Sequence, residues 1–202
     1  MVRRAYHKLG EWFDKLTTSK SMTPKENNFA YIDGANLHKG VESLGWKLDY
    51  RIFRRWLEQK FSVSKVFLFI GLIPHNANLY TALQKMGYTL VFKEVVYDGD
   101  GKAKGNCDAD LVLQAAKDFY EHNAKFVVLV SSDGDYASLV RFWMDKGVRA
   151  FILSPAEVKK CSILLKRTGV PIAYLEQIRH KLQYRKNEKA PGADESAQGS
   201  FS

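Results

Sequence analysis

Apolar residues recur along the chain with two different periods, and the alternation between the two sets the expected architecture. Dense runs at Phe29–Asp33, Lys65–Leu72, Thr89–Tyr97, Phe126–Ser131, Arg149–Leu153 and Pro171–Leu175 have the length of strands. Between them, apolar positions fall three and four residues apart over Leu37–Leu44, Tyr50–Phe61, Ala77–Met86, Ala109–His122, Tyr136–Lys146 and Ala156–Arg167. That is the spacing of helices with one buried face. Asp49 before Tyr50 and Pro155 before Ala156 read as helix starts, and Gly87, Gly147 and Gly169 as stops. Strands that alternate with helices need crossover connections, which predicts an α/β fold: a three-layer α/β/α sandwich around a mostly parallel sheet. Val127–Val130 and Phe67–Ile70 lack polar alternation and read as central strands covered on both faces.

The two ends of the chain have a different character. Residues 3–17 place Tyr6, Leu9, Trp12, Phe13 and Leu16 at helical spacing, and the polar stretch Thr17 to Asn28, with Pro24, follows. The expected organisation is an N-terminal amphipathic helix and linker over 1–27 and one folded domain over 28–186, closing with a helix from Glu176 to about Arg185. Residues 187–202, rich in Pro, Gly, Ala and Ser without apolar periodicity, read as a disordered tail. A basic amphipathic helix can serve a membrane surface or a partner groove; docking on its own domain or a homodimer through the helix is the reading favoured here.

Composition narrows the function. At 202 residues and 46% hydrophobic, the chain can bury a sizeable core. Its longest apolar run, Val66–Ile73, is far short of the roughly 20 residues of a membrane span, so no membrane partner is expected. The start, Met1-Val2-Arg3-Arg4, lacks the apolar core of a secretory signal, and a cytoplasmic location is expected. Two cysteines exclude a disulfide framework and a Cys-rich zinc site. The formal net charge is +9, yet residues 101–154 balance, with 7 basic and 7 acidic groups. Basic ends around an acidic middle suit a polyanion that approaches over cations and meets a metal at carboxylates.

In an open parallel sheet, ligands bind beyond the carboxyl ends of the strands. The first strand ends Tyr31-Ile32-Asp33-Gly34-Ala35-Asn36, the fourth ends Val130-Ser131-Ser132-Asp133-Gly134-Asp135, and Asp108 and Asp110 open the helix after the third. Four or five carboxylates from three segments should therefore converge on one edge. Like charges that close repel unless a cation neutralises them, and hard oxygen ligands without a Cys/His cluster suit Mg²⁺ or Mn²⁺. Singly, each acid also reads as turn chemistry or a helix cap; capping alone predicts one acid per helix start, not pairs aimed at one rim.

Other signals are weaker. Asp98-Gly99-Asp100-Gly101-Lys102 hints at a calcium loop, but Lys102 and Lys104 occupy ligand positions and Ala109 replaces the closing Glu. The segment reads as a flexible loop over the acidic edge, with Lys102 and Lys104 able to touch phosphate. His38 is near enough to contact substrate, and Tyr136 reads as a hydrophobic brace for the acidic turn. A phosphatase for small phosphoesters would need a second acid beside Asp33, where the chain has Ala35.

Three motifs, Tyr31–Leu37, Lys104-Gly105-Asn106-Cys107-Asp108-Ala109-Asp110-Leu111 and Ser131-Ser132-Asp133-Gly134-Asp135-Tyr136, together resemble the NYN domain family. The likeness is to its LabA-like (DUF88) branch of the PIN-like nuclease superfamily, over about residues 28–182. It implies a PIN-like sandwich and a metal-dependent ribonuclease site acting on RNA. In that likeness Asp33, Asp108, Asp133 and Asp135 match the catalytic acids, Asp110 a frequent further metal ligand, and Asn36 the polar partner of the first turn. The chain has Ser132 where Gly is commoner and Tyr136 where Phe is commoner. The expected reaction uses Asp33, Asp108, Asp110, Asp133 and Asp135 as Mg²⁺ or Mn²⁺ ligands, with Asn36, His38, Lys102, Lys104, Ser131 and Ser132 toward substrate. A module that binds RNA or a partner without cleaving it is the alternative.

Overall fold

A computed structural model describes residues 27–94, 96–97, 103–104, 107–122 and 124–185. Its strands are β1 (Asn28–Asp33), β2 (Lys65–Leu72), β3 (Tyr88–Glu94), β4 (Val96–Tyr97), β5 (Ala103–Lys104), β6 (Phe126–Val130), β7 (Arg149–Ser154) and β8 (Ile172–Tyr174). Six of them form one sheet in the order β3-β2-β1-β6-β7-β8, every neighbouring pair parallel, while β4 and β5 make a small antiparallel hairpin. The chain works outward from β1 to β3, then crosses back to β6 on the other side of β1. Connections on the two sides of that reversal diverge, which leaves a crevice at the carboxyl ends of β1 and β6.

Helices α1 (Gly34–Ser43), α2 (Tyr50–Phe61) and α3 (Ala77–Lys85) cover one face; α4 (Asp108–His122), α5 (Ala137–Asp145) and α6 (Ile163–Lys166) cover the other. Strand parity decides which core a side chain enters. Ala30, Ile32, Leu68 and Val128 pack with Leu37, Phe53, Leu57 and Leu83, whereas Tyr31, Phe67, Phe69 and Leu129 pack with Leu111, Ala115, Val140 and Trp143. All six residues of β1 and all five of β6 are buried, as expected of strands with helices on both sides. The three-layer sandwich read from the sequence is the fold.

Local signals explain most element ends. Asp49 caps α2 by accepting from the Ile52 N–H at 2.9 Å, and Gly87, Gly147 and Gly169 follow their helices with positive φ. Three expectations need correction. The helix expected over Ala156–Arg167 shrinks to α6. The Ser162 N–H, which such a helix would spend on Val158, donates instead to the Ser132 carbonyl at 3.1 Å, and the Ser162 hydroxyl caps Leu164. Pro155 is therefore not a helix start. The strand expected over Thr89–Tyr97 divides, because Val96 turns to pair with Lys104. The closing helix becomes a 3-10 turn, Leu175–Ile178, then a single turn, α7 (Arg179–Leu182). It stops there because Gln183 bridges to Leu48 and the Tyr184 N–H donates to the Lys47 carbonyl at 2.8 Å.

The expected amphipathic helix, the tail, and Lys102 in its loop lie outside the described residues. Among the described residues, no helix is long and apolar enough to cross a membrane.

Candidate active site

The site begins where β1 stops. Asp33 leaves the strand in extended conformation and caps α1, its Oδ1 accepting from the Asn36 N–H at 2.9 Å. The next residue must be glycine: a Cβ at Gly34 would lie 2.4 Å from Ile70 Cγ2 and 2.7 Å from the Phe69 carbonyl oxygen. Asn36 then ties the two sides of the crevice together. Its Oδ1 accepts from both the backbone N–H and the hydroxyl of Ser132, each at 2.9 Å.

After β6 the chain folds on its own side chains. Ser131, fully buried, accepts from the Asp133 N–H at 3.1 Å, and Asp133 accepts from the Asp135 N–H at 3.1 Å. This tight turn presents Asp133 and Asp135 toward Asp108, the first residue of α4. One carboxylate oxygen from each of Asp108, Asp133 and Asp135 lies within 4.8 Å of the others. Two carboxylates at that separation in a partly buried setting repel by on the order of 3 kcal/mol.

Tyr136 joins the first acid to the third segment. Its ring is fully buried, and its hydroxyl donates to Asp33 Oδ2 at 3.3 Å and makes a shorter contact to Asp108 Oδ1. Burial, then the charges of Asp33 and Asp108, push the phenol far above its usual range, so it stays a donor. Asp33 is raised as well: burial is the largest cause, and Asp108 and Asp133 add to it against the hydrogen bonds from Asn36 and Tyr136.

Asp33, Asp108 and Asp133 line one cleft of about 280 Å³, with Asn36, Lys39, Asn76 and Cys107 also in its walls. Asp135 is exposed beside it. Asp110 stands apart from the three clustered acids, paired with Lys93 at 3.2 Å. His38 does not line the cleft; half-buried on α1, its imidazole is held below its ordinary value, mainly by burial. Lys104 is placed only as a position in β5.

A family model for the NYN domain matches residues 29–174. The chain belongs to the NYN domain family. Membership brings a nuclease-type fold, and the three clustered acids belong to the segments whose motifs suggested it. Among solved structures this NYN chain is similar to a protein of unknown function from Vibrio parahaemolyticus. The two are 20% identical with a TM-score of 0.64, over 81% of this chain and 100% of that one, a likeness of fold. A MAR1 ribonuclease from Caenorhabditis elegans aligns at 9% identity and a TM-score of 0.39, over 80% of this chain and 83% of that one, too distant to bear on function. No curated protein matches the chain.

The NYN cleft also holds residues that the sequence did not single out. Lys39 follows Asn36 by three residues, so the two share a helix face; that spacing was the available signal, and it favours Lys39 over its neighbour His38. Asn76 had only its place beyond the end of β2 as a signal. Cys107 lines the cleft with its thiol pushed up to about 11, by burial first and then by Asp33, Asp110 and Asp108. It remains a thiol at neutral pH and is no nucleophile.

Proposed function

We propose that this NYN chain is an endoribonuclease of the LabA-like branch that hydrolyses RNA phosphodiester bonds with Mg²⁺ or Mn²⁺. The observation behind it is the meeting of Asp108, Asp133 and Asp135 within 4.8 Å, beside buried Asp33, at the reversal point of the sheet. The donor set fits a hard divalent cation: oxygens only, with no His or Cys in the group. When bound, such an ion lowers the pKa of water and offsets charge building on the phosphate.

In this reading Asp33, Asp108 and Asp133 hold the ion. Asp135, the exposed acid of the cluster, would hold a second ion or orient the attacking water, as would Asp110, whose Oδ2 pairs with Lys93. Asn36, Ser131 and Ser132 keep the acids in register through the hydrogen bonds described above. Lys39 offers its ammonium to a non-bridging phosphate oxygen. Water attacks phosphorus as the 3′ oxygen departs, leaving a 5′-phosphate and a 3′-hydroxyl. The net charge of +9 and the NYN membership support RNA as the polyanion.

One observation favours a second reading, a module that binds without cleaving. Asp33 and Asp108 share the Tyr136 hydroxyl, and Asp110 has Lys93, so three acids have protein partners already. Mapping the ends of products from a labelled RNA separates the readings. The nuclease yields 5′-phosphate and 3′-hydroxyl ends that vanish in Asp133→Asn with the circular dichroism unchanged. Bound but uncut RNA with Mn²⁺ present supports the module.

A further inference from the structure

The inner face of α4 packs on the sheet through Leu111, Ala115 and the buried carboxylate of Asp118. Its outer face carries exposed apolar side chains around Lys117, which pairs with Glu121 at 3.8 Å. Leu113 is 68% exposed and Tyr120, seven residues on, is 69% exposed, with Val112 also exposed and Ala116 between them. Tyr120 extends the patch toward α5, its ring 4.9 Å from that of Phe119 and 6.2 Å from that of Phe142. A helix that needed only one buried face would carry polar residues at Leu113 and Tyr120 as it does at Lys117.

The described chain begins beside this face. The Asn27 side chain donates to the His122 carbonyl, at the last residue of α4, and the Asn27 carbonyl accepts from the Lys125 N–H at 3.1 Å. The preceding sequence therefore arrives at the end of α4. Nine residues, Thr18 to Glu26, reach up to roughly 30 Å when extended. A helical segment over residues 3–17 would match the length of α4, about 22 Å each. That segment carries the apolar stripe Leu9, Trp12, Phe13 and Leu16.

We propose that residues 3–17 of the same chain dock on the outer face of α4, laying this stripe over Leu113, Ala116 and Tyr120. A short tether sets an effective concentration near the millimolar range, which favours the chain's own segment over a second copy. Because α4 starts at Asp108, the docked segment braces the helix that carries one acid of the site. The proposal stands whether or not the protein cleaves RNA.

Trypsin tests it on the full chain. Docking protects Lys8 and Lys15, because cleavage of a locally held segment follows the fraction of time it is released. Leu113→Asp and Tyr120→Asp alter side chains that the sheet does not use. Each is expected to speed cleavage at Lys8 and Lys15 by about tenfold or more. Trp12→Asp, on the segment itself, should do the same, and combining it with Leu113→Asp should add little further. The rates should not vary with protein concentration. Equal cleavage in the wild type and all variants would overturn the proposal. So would protection that grows with concentration alongside a sedimenting dimer, which would give the face to a second copy.

Discussion

Tyr136→Phe isolates the hydroxyl that links Asp33 to Asp108. The ring is fully buried, so phenylalanine keeps the packing and removes one oxygen. That oxygen holds a single proton shared between two carboxylates, and a hydrogen bond to a charged acceptor contributes about 1.5–3 kcal/mol. Counting the proton once, the metal-free protein should lose about 2 kcal/mol. For a domain of this size that lowers the melting temperature by roughly 4–8 °C. Saturating Mn²⁺ gives both acids another partner, so the loss should fall below about 1 kcal/mol. Urea unfolding followed by tryptophan fluorescence, in EDTA and in Mn²⁺, measures both quantities. A loss under about 0.5 kcal/mol in EDTA would show that the hydroxyl does not matter to the acids. A loss of the same size with and without Mn²⁺ would show that the ion does not bind where Tyr136 points.

Three further outcomes follow from the same contacts. Asp33 has its folded pKa raised above the ordinary 3.8, so its stabilising contribution is complete below that value and is lost as pH rises through the raised one. In EDTA the wild type should therefore lose stability relative to Asp33→Asn as pH climbs above 3.8; parallel pH–stability curves would contradict this. Gly34→Ala forces a methyl against Ile70 and the Phe69 carbonyl and should cost about 1–3 kcal/mol in chemical denaturation. Asn36→Ala deprives the Ser132 N–H and hydroxyl of their acceptor; a loss of about 1–3 kcal/mol together with weaker Mn²⁺ binding in calorimetry is expected, and unchanged affinity would mean that the two turns hold their register without it.

The fold was legible because strand and helix periods are strong signals when both faces of a strand are buried, as in Val127–Val130. Where a single distant hydrogen bond decides, the period misleads. Residues 156–162 have helical spacing, yet the Ser162 N–H is spent on Ser132, thirty residues back. The clustering of Asp108, Asp133 and Asp135 followed from their place at element boundaries. The division of labour among site residues did not. Asp110 shares residue type and helix with Asp108, but two residues along an α-helix turn it to another face, where it meets Lys93 of β3. Tyr136 reads as an apolar brace because nothing in a sequence says where a buried hydroxyl points. Lys39 shares a helix face with Asn36 and lines the cleft, whereas its neighbour His38 does not.

The central claim, cleavage of RNA by a cation held at these acids, is tested most directly with a labelled mixed RNA pool incubated with Mn²⁺ or with EDTA, beside Asp33→Asn. Cleavage in Mn²⁺, none in EDTA and none from the variant is the predicted result. Circular dichroism of the variant that matches the wild type separates inactivity from unfolding. Cleavage that persists in EDTA, or in Asp33→Asn, would contradict the assignment of the reaction to this cluster.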